Sequence, residues 1–135
     1  MDTSCLVKMA VVLEPVGCPW VIVQEQLQQL VTTTSFNFEF DAINNSYLKI
    51  QHCNKALNDP STAVIIKEIS FFGIADPRFI LSGTYYPDYP EHYVNKITPL
   101  PGQGYLGWNG VYKLEFSVPV FSWIHRELNM GWMYQ

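Results

Sequence analysis

Repeated alternation of apolar and polar residues constrains the fold of this chain more than any other feature of its sequence. In "FNFEFDA", Phe36, Phe38 and Phe40 alternate with polar residues, and "YLKIQHC" and "VYKLEFSVPV" show the same period of two. Successive side chains of a β-strand point to opposite faces, so this period predicts strands with one buried face. The segments "LVKMAVVL" and "AVIIKEISFFGI", rich in β-branched residues, are also predicted to be strands.

The region after the first strand allows two interpretations. "EPVGCP" is predicted to end that strand, because proline lacks a ladder donor and glycine turns freely. "WVIV" and "LQQLV" then predict a hairpin whose turn lies at residues 24–26. The alternative is an amphipathic helix through Leu27, Leu30 and Val31.

Two further segments complete the expected fold. "RFILSGTYY" is predicted to be a strand. In "PVFSWIHRELNMG", Phe121, Ile124 and Leu128 are spaced as on one face of a helix, which Asn129 or Gly131 could cap. Seven to eight short strands separated by turn residues therefore predict an all-β, antiparallel, jelly-roll-like β-sandwich with one short C-terminal helix. The length and the absence of a linker predict a single domain over residues 1–135.

Composition excludes some classes of partner. Charged residues make up 15% of the chain, the formal net charge is −4, and no two basic residues are adjacent. A nucleic-acid groove needs a basic stripe, so we expect no nucleic-acid partner. No segment approaches the roughly 18 apolar residues that span a bilayer, so we expect no membrane partner. The low charge leaves surface for another protein to cover.

The cysteines and the N-terminus indicate where the protein is made. Cys5, Cys18 and Cys53 are odd in number and lack CxxC spacing, so they are predicted to be buried or free thiols formed in a reducing cytosol. The N-terminal residues lack the basic region of a secretory signal.

The segment "YYPDYPEHYVNKITPLPGQGYLGWNG", residues 85–110, holds five tyrosines and a tryptophan among four prolines and four glycines. This mixture predicts a loop rather than a strand or a helix. Aromatic rings stack on the apolar faces of sugars, and amides and carboxylates bind the hydroxyl groups. Alternatively, the rings anchor a protein interface or stiffen the loop. The residues predicted to contact a glycan or a partner are Tyr85, Tyr86, Asp88, Tyr89, Trp108 and Asn109.

Metal binding has weaker support. Asp88, Glu91 and His92, with Asp76 upstream, offer ligands at short spacing that could hold Ca²⁺. The EF-hand pattern is absent, however, and a solvated acidic loop is the alternative. We therefore expect no cofactor, with calcium as the candidate to test. His52 lies on an inward face and is predicted to be a core residue.

Catalysis is not expected from this sequence. There is no GxSxG motif, P-loop or dinucleotide fingerprint, and no Ser or Cys stands out beside a base. Asp88 and Glu91 are too close in sequence to place carboxylates on opposite walls of a cleft. The protein is predicted not to be an enzyme.

Four segments carry a resemblance to a known group of proteins: "SFNFEFDAINNSYLKIQHCNK", "EISFFGI", "GTYYPDYPEHY" and "YLGWNGVYKLEFSVPVFSWI". They resemble small proteins encoded by tailed phages, whose β-sandwiches are similar to calcium-dependent carbohydrate-binding modules of the xylan-binding type. The resemblance spans about residues 7–132. It implies a jelly-roll-like sandwich in a virion that assembles in the host cytoplasm. It implies no catalytic residue, and the calcium ligands of the modules do not map onto this sequence.

These observations predict a non-enzymatic structural or accessory protein of a phage particle. It would be a capsid decoration, tail or baseplate component, docked onto other virion proteins in multiple symmetric copies through the aromatic loop or the C-terminal helix. The alternative is a carbohydrate-binding module that contacts host-surface glycans through the same six residues.

Overall fold

The computed structural model describes residues 4–56, 59, 61–89, 96 and 98–128. Within these ranges the chain forms eleven strands and two short helices. The strands are β1 (Cys5–Val16), β2 (Trp20–Val23), β3 (Gln26–Gln29), β4 (Thr34–Ala42), β5 (Asn45–Cys53), β6 (Ala63–Phe71), β7 (Ile74–Ala75), β8 (Thr84–Pro87), β9 (Leu100–Pro101), β10 (Tyr105–Leu106) and β11 (Gly110–Ser117). The helices are α1 (Arg78–Leu81) and α2 (Val120–Glu127).

The strands form two antiparallel sheets. Sheet A has the order β10-β6-β1-β4, with β7 paired to β6, and sheet B has the order β3-β2-β5-β11-β8-β9. The predicted all-β, antiparallel β-sandwich is therefore confirmed. The predicted seven to eight strands correspond to the elements with four or more residues, whereas β7, β9 and β10 have two residues each.

The alternating residues fill the space between the sheets. Val7, Val11 and Leu13 of β1 have no exposed surface, and neither does Ile50 of β5. Burying each such side chain stabilises the fold by about 1.5–3 kcal/mol. The buried hydrophobic residues of both sheets and both helices, apart from Ala63, belong to one cluster.

The two helices close one end of the sandwich. The Trp123 ring of α2 stacks on Phe79 of α1, with centroids 5.7 Å apart, and meets Phe71 of β6 edge-on at 5.4 Å. Arg78 donates from Nη1 to the carbonyl of Leu128 at 2.9 Å and so links α1 to α2. The predicted C-terminal helix is confirmed. Its apolar face differs from the prediction, because Phe121 is 50% exposed and stacks on Phe72 outside the core. The predicted caps at residues 129 and 131 lie outside the described residues.

The β2–β3 hairpin is confirmed, so the helical alternative through residues 27–31 was wrong. The predicted end of β1 was also wrong. β1 continues through Pro15 to Val16 and pairs with β6 there. Pairing with β4 ends at Leu13, so Pro15 has a neighbouring strand on one side only and its missing N–H is tolerated.

The prediction of a strand over "RFILSGTYY" was wrong for its first half. Asp76 accepts a hydrogen bond from the backbone N–H of Arg78 at 2.9 Å, and this side-chain turn starts the helical turn α1. The strand begins at Thr84. The long strand predicted over "AVIIKEISFFGI" is also shorter than expected. It ends at Phe71, and Phe72 and Gly73 form a two-residue turn with positive φ at both positions.

The prediction that residues 85–110 form a loop was partly wrong. Most of β8 and all of β9 and β10 lie in this segment, since β8 pairs with β11 and β9, and β10 pairs with β6. All three cysteines are free thiols. None of the helices in the described part of the chain is long and apolar enough to cross a membrane.

Candidate functional site

The candidate site lies at the end of the sandwich opposite α1 and α2. Gly110 opens β11 and lies directly between His52 near the end of β5 and Pro87 at the end of β8. The connections that leave these strands therefore meet at one place. They carry Lys55, Asp88 and Tyr89, and the turn before β11 carries Trp108 and Asn109. We call Lys55, Asp88, Tyr89 and Trp108 the Trp108 site.

A hydrogen-bonded tyrosine fixes the backbone of Trp108. The hydroxyl of Tyr85 donates to the carbonyl of Trp108 and accepts from its N–H, the latter at 3.1 Å. Tyr85 lies on the inner face of β8 and is 1% exposed. Burial raises the pKa of its hydroxyl to about 12, so Tyr85 stays protonated as a donor at physiological pH. The position of the indole is thus set from inside the core.

Asn109 joins two loops through its side chain. Its Oδ1 accepts from the backbone N–H of Lys55 at 2.9 Å, and its Nδ2 donates to the carbonyl of Lys55 at 3.0 Å. Its own carbonyl accepts from the N–H of Asp88 at 2.6 Å. Asn109 therefore holds the β5–β6 connection and the residue after β8 against the Trp108 turn.

The side chain of Lys55 crosses the indole. Its Nζ lies 4.8 Å from the centroid of the Trp108 ring and donates to the carbonyl of Gly107 at 2.6 Å. Partial burial lowers the pKa of the ammonium, and the charge of Asp59 opposes that shift. The hydrogen bond to Gly107 uses one of three ammonium donors, so two remain for a ligand.

The carboxylate of Asp59 forms its hydrogen bonds within its own loop. Its carboxylate accepts from the hydroxyl of Thr62 and from the backbone N–H groups of Thr62 and Ser61, both at 3.0 Å. These hydrogen bonds lower the pKa of Asp59 to about 2. Asp59 is therefore an anion that stabilises the conformation of its loop and partly offsets the charge of Lys55.

His52 supports the site from the core. It has no exposed surface, and its Nδ1 donates to the carbonyl of Leu106 at 3.0 Å. Leu106 belongs to sheet A and His52 to sheet B, so this bond ties the two sheets together beneath the Trp108 turn. The Nε2 atom has no hydrogen-bond partner among the described residues. Burial lowers the pKa of the imidazole.

The structure separates the six predicted contact residues into three groups. Trp108 and Tyr89 are half-buried neighbours whose rings meet edge-on at 6.0 Å, and the exposed Asp88 precedes Tyr89. Tyr86 is 49% exposed but lies on the outer face of sheet B, opposite Val111.

Tyr85 and Asn109 have a different role from the predicted one. Tyr85 is buried, because inward-facing positions of β8 belong to the core, and it cannot stack on a ligand. The Asn109 amide is occupied by both backbone groups of Lys55. These two residues position the site and do not form its surface.

The sequence did not point to Lys55 or to Asp59 as site residues. The sequence gives little reason to assign them to a site, since a lysine and an aspartate in a loop after a strand are usually solvated. His52 was recognised as an inward-facing residue, but its bond to Leu106 joins positions 54 residues apart and could not be read from the pattern.

Of the calcium candidates, Asp76 and Asp88 are described by the structure, and neither belongs to a group of metal-binding side chains there. Asp76 forms an ion pair with Arg78 at 2.8 Å, and hydrogen bonds from the side chain and the backbone N–H of Arg78 lower the pKa of its carboxyl to about 2. Glu91 and His92 lie outside the described residues. No group of three or more metal-binding side chains occurs within the residues that the structure describes.

Comparisons with known proteins inform the fold alone. No protein-family model matches the chain, and no curated protein matches it. A solved structure described as "vCBM60 in complex with galactobiose" matches with a TM-score of 0.53 and 14% sequence identity. The match covers 79% of this chain and 96% of that chain. The chain thus shares the β-sandwich fold of a carbohydrate-binding module. A phage origin and the absence of a cofactor stay predictions from the sequence.

Proposed function

We propose that the protein binds carbohydrate, without catalysis, at the Trp108 site. The proposal rests on one observation: hydrogen bonds from residues beneath it hold a partly exposed tryptophan, Trp108, in place. Tyr85 holds both backbone polar groups of Trp108, and Asn109 holds the neighbouring loop. A ring whose position is set before a ligand arrives loses little entropy on binding. The fold shared with a carbohydrate-binding module supports the proposal.

The groups around the indole suit a ligand rich in hydroxyl groups. The uncovered surface of the Trp108 ring can contact the apolar face of a sugar. Lys55 offers two N–H donors to hydroxyl oxygen atoms, and the carboxylate of Asp88 accepts from hydroxyl groups. Asp88 is exposed and forms no ion pair with a described residue. Two aromatic rings and a cation therefore lie together, and the backbone of Asp88 is bonded to the adjacent Asn109.

The same geometry argues against glycoside hydrolysis. A hydrolase needs a carboxylic acid that stays protonated long enough to donate its proton. Of the described carboxylates near Trp108, Asp59 has a pKa of about 2 and its oxygen atoms are bound to Ser61 and Thr62. Asp88 is exposed to water. Neither carboxylate is placed to act as the acid.

Calorimetric titration of the protein with galactobiose and with xylo-, cello- and manno-oligosaccharides tests the proposal. We expect saturable binding to at least one sugar, its loss in Trp108→Ala and its partial retention in Trp108→Phe. Phe121→Ala is the control, since Phe121 is 50% exposed on α2, at the opposite end of the sandwich. Repeating the titration with Ca²⁺ and with EDTA tests the expectation that no cofactor is needed.

Two results would contradict carbohydrate binding at this site. One is the absence of binding to every sugar by a folded protein. The other is an affinity that Trp108→Ala leaves at the level of Phe121→Ala. The predicted docking onto other virion proteins rests on the sequence resemblance and would then be the remaining role for these rings. Measuring whether the purified protein binds phage particles assembled without it would test that role directly.

A further inference from the structure

The longest free edge in the described part of the structure belongs to β4. This nine-residue strand pairs with β1 on one side, and no backbone hydrogen bond joins its other side to a described residue. A free edge presents a row of unpaired N–H and C=O groups and is a template for another strand. The sequence "TSFNFEFDA" has strong β-propensity and contains neither proline nor glycine to interrupt it.

The inner face of β4 is incompletely covered at this edge. Phe36 is buried, whereas Phe38 and Phe40 are only half-buried. Beside them lies a groove of about 490 Å³, closed on the far side by Tyr47 and by the β2–β3 turn at residues 24–26. A strand added to β4 would bring its own inward side chains into this groove.

We propose that β4 pairs with β4 of a second copy of this chain, antiparallel and over its full length. In that register Phe38 lies opposite the partner's Phe38 on the twofold axis. Asn37 lies opposite the partner's Glu39, and Ser35 lies opposite the partner's Asp41. Each carboxylate thus faces an amide or a hydroxyl donor. Glu39 and Asp41 have no ion pair within the described residues, so both carboxylates are available.

Charge selects this register over its neighbours. A shift by two residues in one direction places Glu39 opposite the partner's Glu39, and like charges directly opposite each other destabilise a strand pair. A shift by two residues in either direction also shortens the paired segment by two residues. A shift by one residue would place phenylalanines beside polar side chains on the same face. The full-length register alone combines complete pairing, continuous phenylalanines and complementary polar groups.

The dimer would join two sheets A into one continuous sheet, since a twofold axis perpendicular to the sheet keeps inner faces inward. It would also present two copies of the Trp108 site, and bivalency raises the apparent affinity for a repeated ligand. The pairing itself stands on β4 alone and does not depend on carbohydrate binding.

Sedimentation equilibrium of the full chain, from low to high micromolar concentration, tests the proposal. We expect a reversible monomer–dimer equilibrium. Asn37→Glu places a carboxylate opposite the partner's Glu39 twice per dimer and should raise the dissociation constant by at least about fivefold. Asn37→Lys should lower it, and Asn37→Gln should leave it nearly unchanged. Gln28→Glu, which adds the same charge on exposed β3, is the matched control.

A second readout locates the contact. Hydrogen exchange in the backbone of β4 should slow as protein concentration rises, while exchange in β3 should not change. A monomer at every concentration would overturn the proposal, and so would a dimer that Asn37→Glu weakens no more than Gln28→Glu does. If Asn37→Glu does not unfold cooperatively, Ser35→Glu, opposite the partner's Asp41, makes the same test.

Discussion

The side chain of Asn109 forms a closed pair of hydrogen bonds with the backbone of Lys55, accepting from its N–H at 2.9 Å and donating to its carbonyl at 3.0 Å. These two residues are 54 positions apart and lie in different loops. The pair therefore sets the distance between the Lys55 ammonium and the Trp108 ring. Loops that carry a binding site usually need such fixation, because few of their backbone groups are paired in sheets.

Asn109→Ala should lower the free energy of unfolding by about 1–2 kcal/mol, because two partly buried backbone groups of Lys55 lose their partner. Asn109→Asp should cost a similar amount, since its second oxygen would face the Lys55 carbonyl. Urea denaturation measures both effects. Asn45→Ala, which removes an exposed asparagine side chain, is the control and should change stability by less than about 0.5 kcal/mol. Equal stability of Asn109→Ala and the control would contradict the conclusion that Asn109 stabilises the contact between the two loops.

Tyr85→Phe should leave the core packed but release Trp108. The variant keeps the buried ring and removes the hydroxyl that bonds the N–H and carbonyl of Trp108. Leaving these groups unpaired should cost about 1–3 kcal/mol of unfolding free energy. If the Trp108 site binds sugar, affinity should fall as well. The matched control is Tyr86→Phe, whose hydroxyl lies on an exposed side chain of the same strand. Tyr85→Phe with unchanged stability and affinity would show that the hydroxyl does not position the indole.

The sandwich could be predicted because its strands follow local rules. Val7, Val11 and Leu13 alternate with outward residues, and the structure buries all three. The same rule failed where side chains or pairing overrode it. Asp76 bonds the N–H of Arg78 and starts a helical turn in a segment with the composition of a strand. Tyr85 lies in a segment rich in proline and glycine, yet strand pairing on both sides makes it a core residue.

The aromatic residues of the candidate site could be predicted from the sequence, but the contacts that position them could not. Trp108 and Tyr89 could be identified from residue type, and they do lie together. Lys55 reaches the Trp108 ring through a contact between distant loops, and no spacing rule connects positions 55 and 109. Asn109 was predicted to contact a ligand, whereas its amide bonds both backbone groups of Lys55. An asparagine beside a ligand-type ring has the same sequence signal whether its amide binds a sugar or a backbone.

His52 should make the protein less stable as pH falls from neutral. Burial lowers the pKa of its imidazole below the ordinary 6.5, so the unfolded chain takes up the proton first. This contribution is complete above pH 6.5 and is lost as pH falls from there toward the lower folded-state pKa. Lys55, which lowers that pKa, and Asp59, which raises it, are the charges that face the ring.

Thermal unfolding between pH 7 and pH 5 measures this effect. The carboxyls of Asp59 and Asp76 have pKa values of about 2, below the ordinary 3.8, so their contribution falls only at lower pH. His52→Asn is the control, because its amide can still donate to the Leu106 carbonyl but does not titrate. The variant should lose less stability than the parent chain over this range. Equal pH dependence would assign the effect to another group.

Gly110→Ala should be the most damaging small substitution at this end of the sandwich. A Cβ at Gly110, where φ is +155°, would lie 2.4 Å from the carbonyl oxygen of Tyr86 and 2.8 Å from Cα of Pro87. Both neighbours are backbone atoms of β8, so β8 and β11 would have to separate, at a cost of about 2–3 kcal/mol or more in unfolding free energy. The separation would also disturb the Asp88 N–H bond to Asn109, and ligand affinity should fall.

Gly73→Ala separates this steric effect from the cost of positive φ. Gly73 has φ of +79° but no atom within 4 Å of the added Cβ, so its substitution should cost only about 1–2 kcal/mol. Urea denaturation of both variants gives the two costs, and titration with sugar gives the effect on the site. A cost for Gly110→Ala no larger than that for Gly73→Ala would mean that β8 can move away freely. The close approach of β8 to β11 would then not be what places Asp88 beside the Trp108 turn.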